Sequence, residues 1–233
     1  MSWTAEQRIL ALFRHHKEQP SGWRTAIPVV LNGHQAARLE PVTAVDHEQP
    51  PLVDLLAKWR EAAQDSFPTQ FAITLEGTRN WLADKVLGVP DRILFWIRGD
   101  HDGVRLGHLG LFHLDATAKS IELDNVVRGV QRTMPGLIQA AVRTLMRWTA
   151  DDLGLEEMSL RVCADNLRAV RLYERCGYRV VREIQLVKLV EPQVTRWVEQ
   201  SEYPHLRSER RFLEMRRRIG EAMIPPAPDR IAA

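Results

Sequence analysis

Ile121-Glu122-Leu123-Asp124-Asn125-Val126-Val127-Arg128-Gly129 opens the stretch that decides the fold. It is rich in β-branched and aliphatic residues and closes on glycine, which predicts a strand. Gln131-Arg132-Thr133-Met134-Pro135-Gly136 follows, too punctuated by Pro and Gly for regular structure. From Leu137 to Asp152 the apolar residues Ile138, Ala141, Val142, Leu145 and Trp148 recur at three- and four-residue steps, and Leu153 follows just beyond. That spacing predicts a helix, and Gln139, Arg143, Arg147 and Asp151 form its polar stripe. A second strand, Met158 to Val162, leads to Asp165-Asn166, either of which can cap a helix from Leu167 to Cys176. Gly177 suits the left-handed turn that ends it.

Strand, tight loop, helix, strand is a βαβ unit, and its loop leaves unpaired backbone N–H groups at a helix N-terminus. Those donors and the helix dipole favour an anion, most naturally a phosphate. The loop has neither the Lys-Ser/Thr of a Walker loop nor the three glycines of a dinucleotide fingerprint. The order Gln131-x-x-Met134-x-Gly136, helix, strand, Asn166-x-x-Ala169-x-x-x-Tyr173-x-x-x-Gly177-Tyr178 resembles the GNAT superfamily of acyl-CoA-dependent N-acyltransferases. The family's loop reads Gln/Arg-x-x-Gly-x-Gly/Ala, so Met134 departs at the first glycine, whereas the second segment fits closely. The resemblance implies an α/β (α+β) fold, a mixed twisted sheet flanked by helices.

Around this centre, 233 residues with 45% hydrophobic content can bury a core as one domain with extensions. The net charge of +2 makes no electrostatic case for nucleic acid as a partner. Cys163 and Cys176, the only cysteines, read as reduced and buried. No signal-peptide pattern opens the chain, and no apolar run approaches the roughly 20 residues of a membrane span. The default expectation is therefore cytoplasmic, with no membrane. None of the eight histidines has a partner at metal-ligand spacing, so no metal is predicted.

Upstream, Trp3 to His16 predicts an amphipathic helix with Thr4 as cap, packing on the domain or on a second subunit of a homodimer. Ile27 to Leu31 is a short strand or a packed loop, and Ala36 to Val45 is expected to supply the first sheet strand. Helices are expected over Leu52–Ala63 and Thr78–Leu87, broken between them at Asp65-Ser-Phe-Pro68. Arg92 to Arg98, a turn at Gly99-Asp-His-Asp-Gly103, and Val104 to Leu114 make a hairpin in which Gly107 and Gly110 permit a bulge. Downstream, Arg179 to Val190 is a strand and Val194 to Val198 a weak one. Leu206 to Met223 reads as a C-terminal helix with Phe212, Met215, Ile219 and Met223 in one stripe, ringed by arginines. The expected organisation is residues 1–35 as an N-terminal helical extension, 36–200 as the acyltransferase domain, and 201–233 as a C-terminal helix and tail.

The resemblance implies direct attack by an amine on an acyl-CoA thioester, with acetyl-CoA or a similar acyl-CoA as co-substrate. On that reading Val126 and Val127 pair with the pantetheine arm and Gln131, Arg132, Thr133, Met134, Pro135, Gly136 and Leu137 hold the pyrophosphate. Asn166 meets the cofactor near its thiol, and Tyr173 donates a proton to the leaving sulfur. The two early helices and their loop would wall the acceptor site, making Trp59, Arg60, Phe67 and Thr74 candidate contacts, although Trp59 and Trp81 also read as core. By the strand period of two, Glu122, Asp124, Val126 and Arg128 share a face, so Glu122 or Asp124 could relieve the amine of its proton. Exposed, solvated carboxylates are the alternative, and His108 and His113 are further base candidates. Trp59-Arg60, Phe95-Trp96-Ile97, Gly107-His108-Leu109-Gly110 and Val127-Arg128-Gly129 are similar to GNAT enzymes of surface-sugar biosynthesis. The expected acceptor is therefore a primary amine on a small polar molecule, with a free or nucleotide-linked amino sugar first. The alternatives are a protein or peptide N-acetyltransferase, a non-catalytic acyl-CoA-binding member of the fold, or a basic-tail module that binds nucleic acid.

Overall fold

A computed structural model describes residues 3–19, 26–130 and 134–220. The βαβ unit is present: β6 (Ser120–Arg128), α5 (Leu137–Asp151) and β7 (Glu157–Cys163), with β7 parallel to β6. Before it come α1 (Ala5–Glu18), β1 (Ile27–Leu31), β2 (His34–Pro41), α2 (Ala44–His47), α3 (Pro50–Ala62), β3 (Thr69–Phe71), α4 (Leu75–Trp81), β4 (Ile93–Gly99) and β5 (Arg105–Asp115). After it come α6 (Leu167–Arg175), β8 (Arg179–Glu191), β9 (Val194–Glu199) and β10 (Arg210–Arg218). All ten strands join one mixed sheet in the order β1-β2-β4-β5-β6-β7-β10-β8-β9-β3. The expected fold class, a mixed sheet flanked by helices, is the observed one.

Each face of the sheet has its own core. One buries Ile9 and Phe13 of α1, Leu137, Ala141, Val142 and Leu145 of α5, and Val170 and Tyr173 of α6 against Phe95, Leu109, Ile121 and Leu123. The other packs Leu56 and Trp59 of α3, with Leu82 and Val86, against Leu94, Trp96 and Val127. Thr4 caps α1 as expected, its hydroxyl accepting from Gln7 N. Lys17 Nζ donates to the carbonyls of Val86, Leu87 and Val89, fixing α1 to the end of the Leu82–Leu87 π turn that continues α4.

Three expectations are corrected. The first sheet strand is β1, not the Ala36–Val45 segment, which supplies the second. Within the expected Leu206–Met223 helix, Arg210–Arg218 is instead the strand β10, inserted between β7 and β8 and antiparallel to both, while residues 221–233 lie outside the described residues. Arg, Glu, Leu and Met favour a helix locally, but two flanking strands decide the outcome. The arginines find carboxylates across the ladders: Arg182 reaches Glu214, Arg211 reaches Glu183 and Arg216 reaches Glu157. The third correction concerns β6. Val126 does not share a face with Glu122 and Asp124. Asn125 and Val126 together oppose Leu109, and Asn125 sits at φ 50°, so a bulge flips the alternation. Ile121 and Leu123 face the α5 core, as does Val126, while Val127 faces Trp59.

Just past the bulge, Gly129 lies against the indole of Trp59: a Cβ there would fall 2.0 Å from the ring. Gly129→Ala is expected to cost about 1–3 kcal/mol through overpacking. Urea unfolding checks this, and an unchanged midpoint would mean that the contact yields freely.

Candidate active site

β6 and β7 pair only through Ser120↔Glu157, Ile121↔Met158 and Glu122↔Ser159. Beyond Glu122 they part, and β7 continues alongside β10. A cleft of about 950 Å³ opens in the gap. Its lining includes Glu122–Gly129 of β6, Met134–Gln139 at the start of α5, Asn166 and Tyr173. The edge of β6 from Leu123 onward thus faces a space instead of a strand, and an extended ligand can add itself there.

Of the expected pyrophosphate loop, Gln131, Arg132 and Thr133 lie outside the described residues. Met134, Pro135, Gly136 and Leu137 line the cleft, and Gly136 precedes α5 at φ 83°, a conformation that suits glycine. Ile138 and Gln139, in the first turn of α5, also line it. The helix dipole therefore points its positive end at the cleft. Arg128, Arg168 and Arg175 stand on the same lining.

Asn166 caps α6, its Oδ1 accepting from Ala169 N at 3.2 Å, while its Nδ2 donates to Ser66 Oγ at 3.2 Å. Further along α6, Tyr173 is buried edge-on to Tyr178. Burial first, then Cys176 and Asp124, push its hydroxyl above the ordinary tyrosine range. It therefore keeps its proton at neutral pH and is available as a donor.

The two carboxylates expected to face the acceptor are both held. Glu122 accepts from Arg161 Nε at 3.2 Å and meets His113 Nδ1 at 3.0 Å. Asp124 pairs with Arg92, and its oxygens also accept from the backbone N and the Nδ2 of Asn125, each at 2.7 Å. The left-handed turn at Asn125 is what folds these donors back on Asp124. His108 is buried beside Trp59, with Nδ1 2.7 Å from the carbonyl of Asn125. Since a carbonyl only accepts, Nδ1 carries the proton and Nε2 keeps its lone pair. Burial, opposed by that hydrogen bond and by Asp124, lowers its pKa to about 4.

The acceptor candidates divide. Trp59 and Phe67 line the cleft. Arg60 does not: its guanidinium lies 3.6 Å from the Phe67 ring centre beside a small separate cavity, and burial lowers its pKa to about 10. Thr74 caps α4 through Gly77 N and lies outside the lining. Residues that periodicity does not point to complete the far wall: Leu186, Phe212, Trp197, Val198, Glu199 and Glu202. They come from β8, β9, β10 and the turn after β9, where the sequence predicts one strand, a weak second one and a helix. Among the described residues, no group of three His, Cys, Asp or Glu could hold a metal ion, and no helix is long and apolar enough to cross a membrane.

A parted parallel pair, a helix N-terminus at one end and a buried tyrosine between them define an acyl-CoA-dependent acyltransferase cleft. A family model of the acetyltransferase (GNAT) domain matches residues 38–179. The chain belongs to the GNAT acetyltransferase family, and it is an N-acetyltransferase. Similar solved structures include a probable GNAT acetyltransferase from Chromobacterium violaceum, with TM-score 0.62 and 20% identity over 88% of this chain and 89% of that one. A GNAT acetyltransferase from Bacillus anthracis gives 0.60 and 13% over 84% and 100%. A spermidine N-acetyltransferase from Vibrio cholerae, in complex with CoA and spermine, gives 0.54 and 13% over 80% and 97%. No curated protein matches the sequence.

The buried His108 makes stability depend on pH. Its folded value near 4 lies below the ordinary 6.5, so its contribution is complete above about pH 6.5. It is lost as pH falls from there toward 4, when the unfolded chain takes up a proton that the folded chain refuses. The total is on the order of 3 kcal/mol. Urea titrations between pH 4 and 7.5 should show this slope, and it should flatten in His108→Gln; equal slopes in both proteins would contradict the assignment.

Proposed function

We propose that this enzyme acetylates the primary amine of a small polar molecule, with acetyl-CoA as donor. The observation that carries this reading is the charge layout of the cleft. Of the four described lining arginines, Arg161 pairs with Glu122, and Arg128, Arg168 and Arg175 share the lining with the α5 N-terminus, suited to the phosphates of CoA. At the other end, among the described lining residues from α3, β8, β9, β10 and the turns beside them, none is Lys or Arg, and Glu199 and Glu202 are present. Carboxylates at the entrance favour a cationic amine. They disfavour the nucleotide-linked form of an amino sugar, whose diphosphate would need cations, and Arg60 does not line the cleft. A free amino sugar and a short di- or polyamine both fit, and the spermine bound in the similar Vibrio structure is an acceptor of the second kind.

In the mechanism we propose, the pantetheine arm adds along β6 at Val126 and Val127, and the pyrophosphate sits at Met134–Leu137. The amine loses its extra proton, by way of water, to Asp124, whose field reaches the Tyr173 hydroxyl. Its lone pair attacks the thioester carbonyl carbon. The tetrahedral adduct then collapses, the C–S bond breaks, and the departing sulfur takes the proton of Tyr173 as the new amide forms. The nitrogen sheds its second proton as the amide forms, and that proton restores Tyr173 by way of water.

Thiol release from acetyl-CoA should be strong with short diamines or free amino sugars and weak with nucleotide-linked sugars and peptides. Turnover of peptides alone would overturn the small-acceptor reading. Tyr173→Phe should lower kcat on the order of a hundredfold with little change in acetyl-CoA affinity. Near-full turnover in that variant would make the hydroxyl structural.

A further inference from the structure

The segment between α3 and α4 is bound to the far side of the cleft. Thr69, Gln70 and Phe71 of β3 pair with Arg196, Thr195 and Val194 of β9, and Trp197 N donates to Pro68 O at 2.7 Å. Asn166 Nδ2 reaches Ser66. Arg210, on β10, fastens the same segment from below. Its Nε and Nη2 donate to both oxygens of Asp165 at 2.9 Å, and Nη2 also donates to Asp65 O at 2.9 Å. Its guanidinium lies 5.5 Å from the Trp197 ring centre, and its side chain is 14% exposed. One planar fork thus joins the 64–71 strap, the loop before α6 and β9.

Followed through the main chain, these contacts close a ring. α3 packs on β6 through Trp59, and the strap runs from α3 to β9. From there β9, β8, β10, β7 and β6 are joined by consecutive ladders. Every member of this ring contributes to the cleft lining: Trp59, Ser66, Trp197, Leu186, Phe212 and Val162 from the first six, then Glu122–Arg128 from β6. The acceptor half is therefore bordered by a continuous ring of elements in which the 64–71 strap is the span that bridges α3 to β9.

We propose that Arg210 is a specificity-determining positioning residue, which holds the strap shut across the cleft and so excludes bulky amines from the thioester. This rests on the N-acetyltransferase reading and adds to it a filter by acceptor size. Arg210 is not among the residues that line the cleft, so its loss should change which amines are used and leave donor affinity intact.

The experiment compares wild type, Arg210→Ala and Arg210→Lys with a graded amine series, from a short diamine and a free amino sugar to a peptide N-terminus. Thiol release gives kcat and KM, calorimetry gives acetyl-CoA affinity, and hydrogen exchange follows the amides of residues 64–71. In Arg210→Ala the ratio of kcat/KM for the largest amine over the smallest should rise about tenfold, within the span open to a steric pocket. Strap amides should exchange faster, acetyl-CoA affinity should hold, and Lys, which keeps the charge but not the fork, should fall between. An unchanged ratio with faster exchange would show that the strap does not filter; unchanged exchange would show that Arg210 does not hold it. A double variant guards against misfolding of the single ones. Thr69→Cys with Arg196→Cys, joined by oxidation, should retain turnover of the smallest amine, whereas loss on oxidation and recovery on reduction would mean a lid that must open and would overturn a fixed filter. If wild type releases thiol with none of the small amines, it is the small-acceptor reading that fails, and strap exchange still judges the clasp.

Discussion

Everything in this molecule depends on β6 and β7 ceasing to pair after Glu122. A parallel ladder that ran on would fill the space where a cofactor arm must lie. Two features of the neighbourhood favour the parting. The bulge at Asn125 bends β6 and turns its outer half, so that Val127 faces Trp59 while Leu123 faces the opposite core. On the other flank β7 is committed to β10 along Glu157–Cys163, a seven-residue ladder that holds it to a different course. Gly107 permits the close approach β6 needs: a Cβ there would meet Val127 O at 2.3 Å.

The same parting sorts charge. The N-terminal end of α5 shares the lining with Arg128, Arg168 and Arg175, and Arg161 pairs with Glu122. The part from α3, the 64–71 segment, β8, β9, β10 and the turn after β9 is apolar and hydroxylic apart from Glu199 and Glu202. Between them Asp124, fixed by Arg92 and Asn125, faces the region of Tyr173, whose burial holds its proton. A donor with a polyanionic tail and an acceptor with a cationic head would therefore each meet lining of opposite charge, and their reacting atoms would meet beside Asp124 and Tyr173.

How much of this is legible in the sequence follows from how local each signal is. The βαβ unit and the antiparallel strands before it rest on periodicity and turn residues within single segments, and these place β4 to β7, α5 and α6 closely. The bulge carries a readable mark, Asn125 in an otherwise apolar run, since Asn is among the few non-glycine residues that accept a left-handed backbone. Strict alternation along the strand hides it. β10 reads as a helix because Phe212, Met215 and Ile219 fit a helical stripe, and only its two neighbouring strands turn those arginines and glutamates into cross-strand pairs. The strap is beyond reach for a related reason. β3 is three residues long with no alternation of its own, and it exists through β9, more than a hundred residues away. The far wall of the cleft draws on β10 and is closed by the strap, so the donor half is more readable from sequence than the acceptor half.

The central claim, that the parted strands and the α5 N-terminus form the acyl-CoA site, is tested most directly at Gly136, where φ is 83°. A β-branched residue there is strained by the backbone conformation, since the nearest atom to an added Cβ is Leu31 Cδ1 at an ordinary 3.5 Å. Calorimetric titration of acetyl-CoA into wild type and Gly136→Val should show at least about a tenfold loss of affinity in the variant, the size of one charge-assisted contact displaced, with the fold retained by circular dichroism. Equal affinity in the two proteins would contradict the account.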